Sequence, residues 1–441
     1  MLFGLVGLAG SARANPDGIV PAPDARVLPE GGEVVLHADY AYAHDSSHIT
    51  REHLGPGASD TGPLPVRREL DYTHVSHTIT PGVDLGIYHD VFLSFSAPII
   101  VSQTTELDLA PGASRDTSST FTDGILPKQG FDARDPTVPP GGNLMFRDVA
   151  RAGVPELRLG LGLAPMNQAR DATKPTWKLG AELRLSVGKV QRFDPVTPSA
   201  QEGVATGVHE LKLWTTVDRR FRYFEGYFEA FYQVPIVTRD ASLFHDPGFG
   251  STNVDPGQTA GGAFGLEAYL VNDAATGNQV SIDVGSKLTA HFEGRGYTEM
   301  WQIFALAGDP RLGGPLVLDA DPTADGVQAM RYPGISNYEG YLESAARLAI
   351  RAKLGRHVQF AATGALAWKT QHAISFADGG VDLPTCPKGA PACETDNNDV
   401  INPGTKEVNP VAAKLIDQVG HRYIARDNVG YTIGVEAQLV F

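Results

Sequence analysis

Cysteine is nearly absent. Only Cys386 and Cys393 occur in 441 residues, so no disulfide framework can hold this fold together. Long apolar runs are missing too. No stretch after residue 14 approaches the roughly 18 apolar residues of a membrane helix, which excludes a helical span. Basic residues are outnumbered, 36 Lys and Arg against 51 Asp and Glu, for a formal net charge of -15. That balance argues against nucleic acid as a partner, because phosphate binding needs a basic footprint. Turn formers, in contrast, are plentiful: 49 Gly and 31 Pro are too many for a helical protein and suit a chain of many turns.

The first residues, MLFGLVGLAGSARA, have a short apolar core ending in small-x-small, the pattern of a signal peptide over 1–14 cleaved before Asn15, though with no basic leader. Residues 15–32 are rich in Pro and Gly and read as a tail without regular structure. Export permits a Cys386–Cys393 disulfide. From residue 33 to 441 alternation of apolar and polar residues governs the chain, the period-two signature of strands with one apolar face. In EVVLHADYAYA, Val34, Leu36, Ala38, Tyr40 and Tyr42 oppose His37 and Asp39. In ELRLGLGLA, four leucines oppose Glu156, Arg158 and two glycines. The last residues, VGYTIGVEAQLVF, put Tyr431, Ile433, Val435, Leu439 and Phe441 on one face, with Glu436 opposite.

Strands are expected at 33–43, 68–88, 91–101, 156–164, 177–187, 208–217, 222–234, 262–271, 280–293, 338–353, 358–375 and 429–441. Connections at 88–90, 218–221 and 354–357 are short. Loops at 44–67, 109–152, 188–207, 235–260, 294–337 and 376–421 are long. An even strand count with connections that alternate in length is the pattern of an all-β, closed antiparallel transmembrane β-barrel of about 12 strands. In lipid a sheet must close on itself to pair its backbone, and an outward charge at midplane would cost about 2–4 kcal/mol. The final strand resembles that of Gram-negative outer-membrane β-barrels, which ends in Phe and serves as an assembly signal. The repeated strand–short turn–strand units are also similar to outer-membrane transporters of aromatic-degradation pathways, a likeness that carries no substrate residue across. The resemblance implies residence in the bacterial outer membrane, with the lipid bilayer and the outer-membrane assembly machinery as partners.

If apolar residues face lipid, the inward set is charged: His37, Asp39, Glu156, Arg158, Glu182, Arg184, Glu210, Lys212, Glu225, Glu229, Glu267, Asp283, Lys287, Glu343, Arg347, Arg351 and Glu436. Taken singly, these read as ladders of opposite charge filling a narrow lumen. Taken together they favour a hydrated interior, since stripping so many charges of water is expensive. The expected function is passive uptake of a small solute through a narrow or loop-obstructed channel, the carboxylate excess favouring cations or polar neutral solutes. The alternatives are a lipid-modifying enzyme of the acyl-hydrolase type and a structural or adhesive barrel acting through its loops. His44, Asp45, His48 and His53 share one expected loop, where metal capture or pH gating competes with a plain solvated loop. The acidic stretches 318–326 and 393–400 offer calcium-type oxygens but lack the full loop pattern. Asp71, His74 and His77 form a candidate rim site, and His209 is expected outward with no serine placed beside it. No catalytic residue, cofactor or firm metal motif emerges, and the expectation is a protein that is not an enzyme.

Overall fold

The computed structural model describes residues 34–53, 64–88, 90–126, 146–147, 149–194, 203–245, 256–273, 275–311, 314–319, 329–330, 332–355, 357–375 and 414–441. The segments 1–14 and 15–32, both cysteines, the 393–400 stretch and most of 318–326 lie outside the described residues.

Twelve strands form the wall. They are β1 (Val34–Glu52), β2 (Val66–Tyr88), β3 in two pieces (Val91–Ser96 and Ile99–Leu109), β4 (Glu156–Met166), β5 (Thr176–Ser186) and β6 (Val208–Arg220). The second half comprises β7 (Phe224–Thr238), β8 (Thr259–Asp273), β9 (Asn278–His291), β10 (Tyr341–Leu354), β11 (Val358–Lys369) and β12 (Tyr423–Val440). Each pairs antiparallel with the next. β12 then pairs with β1, from Val35 opposite Val440 to Arg51 opposite Tyr423, and this closes the barrel. Closure leaves no sheet edge to satisfy. The Phe441 N–H donates to the Val34 carbonyl at 2.9 Å, so both ends of the wall meet at the end that carries the short turns.

Several strands run further than their alternation predicts. β1 continues to Glu52 and β2 starts at Val66, so the expected 44–67 loop shrinks to 53–65. His44, Asp45 and His48 are therefore wall residues. β6 and β7 extend to Arg220 and Thr238, and β12 begins at Tyr423 rather than Val429. The reason is a reversal of faces. Over the lower wall the apolar set points out: Leu36, Leu85, Leu93, Leu161, Phe228, Phe264, Leu288, Leu348, Ile433 and Val435 are exposed. Near the long loops it points in: Ile49, Leu70, Leu107, Tyr423 and Ala425 are buried.

What they pack against is a plug of loop segments. Two short helices enter it: α1 (Ser119–Thr122), with Phe121 buried, and at its centre α2 (Trp301–Ala307), with every residue buried. An all-round apolar helix must be enclosed. Trp301 lies edge-on to Tyr297 at 4.8 Å and to Phe193 at 6.3 Å, and its Nε1–H donates to the Pro333 carbonyl at 3.1 Å. Phe121, Ile125, Leu126, Phe244, Ile335, Ile374 and Ile416 complete the core. The plug is tied to the wall by Arg51, whose guanidinium bonds Asp123 at 2.7 Å and the His421 carbonyl at 2.8 Å while lying over the Tyr423 ring.

Candidate functional site

The interior below the plug is the candidate site. All seventeen predicted lumen residues face inward. Arg158, Arg184, Glu210, Glu225, Glu229, Glu267, Asp283, Lys287, Glu343, Arg347 and Glu436 are buried. His37, Asp39, Glu156, Glu182, Lys212 and Arg351 are half-buried. Alternation places them: a residue between two lipid-facing neighbours on a strand must point to the axis.

The densest group spans β7 to β10. Asp283 accepts from Tyr227 Oη at 2.9 Å, from Arg351 at 3.0 Å and from Arg347. Tyr227 Oη in turn accepts from Arg347 at 2.8 Å. Arg351 lies 3.3 Å from Glu267, which also accepts from Ser281. Two carboxylates and two guanidiniums thus neutralise one another with a phenol as the shared partner. Elsewhere pairing is more local. Arg158 bonds Glu156 at 2.9 Å and Arg184 bonds Glu182 at 2.7 Å, each two residues along its own strand. Gln233 donates to Glu210 at 2.7 Å, and Tyr269 donates to Glu225 at 2.5 Å. Lys212 and Lys287 sit on the Phe231 ring at 5.2 and 5.0 Å. Glu343 lies 3.7 Å from His291.

A second group forms near the short-turn end on β1, β2 and β12. His37 lies 3.3 Å from Asp39 and 4.0 Å from Asp84, while Asp39 stands directly opposite Glu436. Here carboxylates outnumber cations, and His37, Asp39 and Asp84 keep partial exposure. The interior is therefore more exposed and more acidic toward the short turns, and more enclosed toward the plug.

Aromatic residues of the interior escaped the sequence reading. Phe92, Trp214, Tyr227 and Phe231 point inward, each with its ring over glycine of a neighbouring strand. A Cβ added at Gly162, Gly180, Gly261 or Gly265 would overlap Phe92, Trp214, Phe231 or Tyr227 respectively. The signal was available as an inward glycine one strand away from an inward aromatic, a pairing known to protect the glycine backbone. Lys369, Glu299 and His372 were also missed, because they sit where strand gives way to loop, while Asp45, read as a loop residue, is buried in the wall.

The candidate enzyme features do not assemble. His74 is buried facing in, while Asp71 and His77 face out, so the three cannot meet; opposite parity on β2 separates them. Asp71 instead pairs with Arg68 at 2.7 Å, and His77 bonds Tyr40 Oη at 2.8 Å. His209 is half-buried and accepts from the backbone N–H of Ser186 at 3.0 Å, with no serine hydroxyl presented to it. Among the described residues no group of His, Cys, Asp and Glu has metal-binding geometry.

On the outside, the final strand exposes Tyr431, Ile433, Val435, Leu439 and Phe441 and buries Glu436. Tyr431 stacks on His44 at 4.9 Å and neighbours Tyr42 at 5.9 Å, and Tyr42 lies 5.1 Å from His77. These rings mark the upper limit of the apolar surface, above which Ser46, His48, Asp71 and Asp427 take over. A closed antiparallel barrel with an even strand number, short turns at one end, an apolar outer belt and an aromatic border has one natural solvent for that belt. The architecture is that of an outer-membrane barrel.

No protein-family model matches the chain, and no curated protein matches its sequence. Among solved structures, it is similar to an outer membrane channel from Pseudomonas putida F1, at 9% identity and a TM-score of 0.40, covering 96% of this chain and 100% of that one. It is also similar to a Pseudomonas aeruginosa FadL homologue, at 9% identity and 0.33, covering 99% of each chain. The outer membrane protease OmpT from Escherichia coli follows at 7% identity and 0.24, covering 92% of this chain and 97% of that one.

Proposed function

We propose that this barrel is a passive outer-membrane channel for small solutes and that the structure is its closed state. The observation that carries the reading is the split interior. Partly exposed acidic side chains, Asp39 and Asp84, line the interior toward the short turns, while a plug of loop segments fills it toward the long loops. Wall charges at Asp39, Asp84 and Glu436 outnumber His37 beside them, which favours cations or polar neutral solutes. The plug is the part that must move, since solutes entering from the long-loop side meet α2 first. No catalytic role is proposed, and the lipid bilayer and the assembly machinery are the partners this reading needs.

The test is planar-bilayer conductance of the refolded protein with and without the segment 297–335. Expected are rare openings in the full chain, sustained conductance after the deletion, and a reversal potential in a KCl gradient that favours cations. A deletion variant that folds as a barrel yet conducts nothing would refute the channel.

A further inference from the structure

The seam between plug and wall holds an ionisable cluster that conduction itself does not use. At the long-loop end of β10, Tyr341 is held between two imidazoles. His291 of β9 and His372 of the short strand His372–Ser375 both stack on it with centroids 4.4 Å away and planes tilted by 10° and 21°. His372 Nε2 lies 3.5 Å from Glu299, the residue two before α2 on the plug. His372, Glu299 and Tyr341 are all buried. His372 belongs to the wall, because its strand pairs with β12 through His372 opposite Ala425. The His372–Glu299 contact is therefore a wall-to-plug contact, and its strength depends on whether the imidazole carries a proton.

The surroundings fix the direction of that dependence. Beside Glu299 is a small cleft, with room for about one water, lined by Asp45, Ser47, His74, Lys369 and Asn428. Lys369 lies 3.4 Å from Asp45. Asp45, Glu299 and, beyond His291, Glu343 make three carboxylates around the ammonium of Lys369, with Lys287 a second cation near His291. His74 adds an imidazole whose Nδ1 meets Thr105 Oγ1 at 3.1 Å and whose Nε2 has no protein partner. Outside this ring, Glu339 accepts from the Ala373 N–H at 3.2 Å. With neutral imidazoles the seam keeps an uncompensated negative charge away from water, which is costly. Burial alone would raise the Glu299 pKa, but His372, together with Lys369 and a backbone N–H, holds the carboxyl below its ordinary value.

We propose that His372 and Glu299 form a proton-operated latch that holds the plug seated when His372 is protonated and loosens it when His372 is neutral. Seating accordingly strengthens as pH falls through the imidazole range and weakens as pH rises through it.

The latch rests on the channel reading only for its effect on transport, and the experiment keeps the two apart. Amide hydrogen exchange of residues 297–307 is followed in the refolded full chain between about pH 8 and pH 5, corrected for intrinsic exchange, alongside bilayer conductance over the same range. The expected result is protection that rises on acidification by about tenfold or more, the worth of one charge-assisted hydrogen bond, with openings becoming rarer in parallel. His372→Gln and, independently, Glu299→Gln should flatten both curves while heat-modifiable mobility shows an intact barrel. The same pH dependence persisting in both variants would overturn the latch. Protection that follows pH in wild type but not in the variants, without conductance at any pH, would support the latch and refute the channel. Conductance with exchange flat across the range would do the reverse.

Discussion

Asp283 and Val284 are neighbours on β9, and their substitutions should fail for opposite reasons. Val284 is exposed on the outer face. It lies six residues above Asn278, the short-turn end of its strand. At about 3.3 Å per residue and a tilt near 40°, that is roughly 15 Å along the barrel axis, near the middle of an apolar band about 25 Å tall. Val284→Arg should therefore cost about 2–4 kcal/mol in lipid. Asp283 is fully buried and accepts from Tyr227, Arg347 and Arg351. Asp283→Leu fits the apolar world outside but strands two guanidiniums inside, at about 3–5 kcal/mol. Val284→Ala and Tyr227→Phe serve as milder partners, the latter losing about 1.5–3 kcal/mol for hydrogen bonds to charged groups. Reversible guanidinium unfolding from lipid vesicles, followed by tryptophan fluorescence, gives all four values. Val284→Arg behaving like Val284→Ala in vesicles would refute the idea that this face meets lipid. Asp283→Leu matching wild type would refute the network as a structural unit.

Other outcomes follow from single features. Gly180→Ala should cost about 1–3 kcal/mol in the same unfolding assay, because its Cβ would overlap the Trp214 ring. Gly364→Ala, with open space around its Cβ, should not destabilise. Trp301→Ala should remove about 3–5 kcal/mol of plug packing and raise open probability in bilayers while the barrel keeps its heat-modifiable mobility. Phe441→Ala should change unfolding free energy by no more than about 0.5 kcal/mol, since the ring is 68% exposed. It should instead lower the yield of inserted barrel in cells, and normal insertion would count against a role for the ring in assembly.

The wall was legible because lipid imposes one rule on every strand it touches. Leu157 to Leu163 and Tyr431 to Phe441 announce their faces, and from these the twelve strands, their pairing order and the inward charges follow. The rule lapses above the bilayer. There Ile49, Leu70 and Tyr423 turn inward to meet the plug while His44, His48 and Asp427 turn outward to water, so a reader tracking outward apolar residues sees a polar loop. The plug left a trace as well. WQIFALA at 301–307 is apolar but for Gln302 yet stands in a long loop rich in Gly and Pro, and only an enclosed position suits such a helix. Which inward charges pair was not legible. Asp283 chooses Arg347 and Arg351 through registers and side-chain reach that alternation does not encode.

The plug core draws Phe121, Phe193, Phe244, Trp301 and Ile416 from separate stretches of chain between the strands. External loops of a barrel are often regarded as exchangeable ornaments on a fixed frame. In this protein they share one interior, so a graft or deletion in one long loop would be felt by its distant companions. For the same reason, a ligand that grips any single loop from outside pulls on packing that the other loops share.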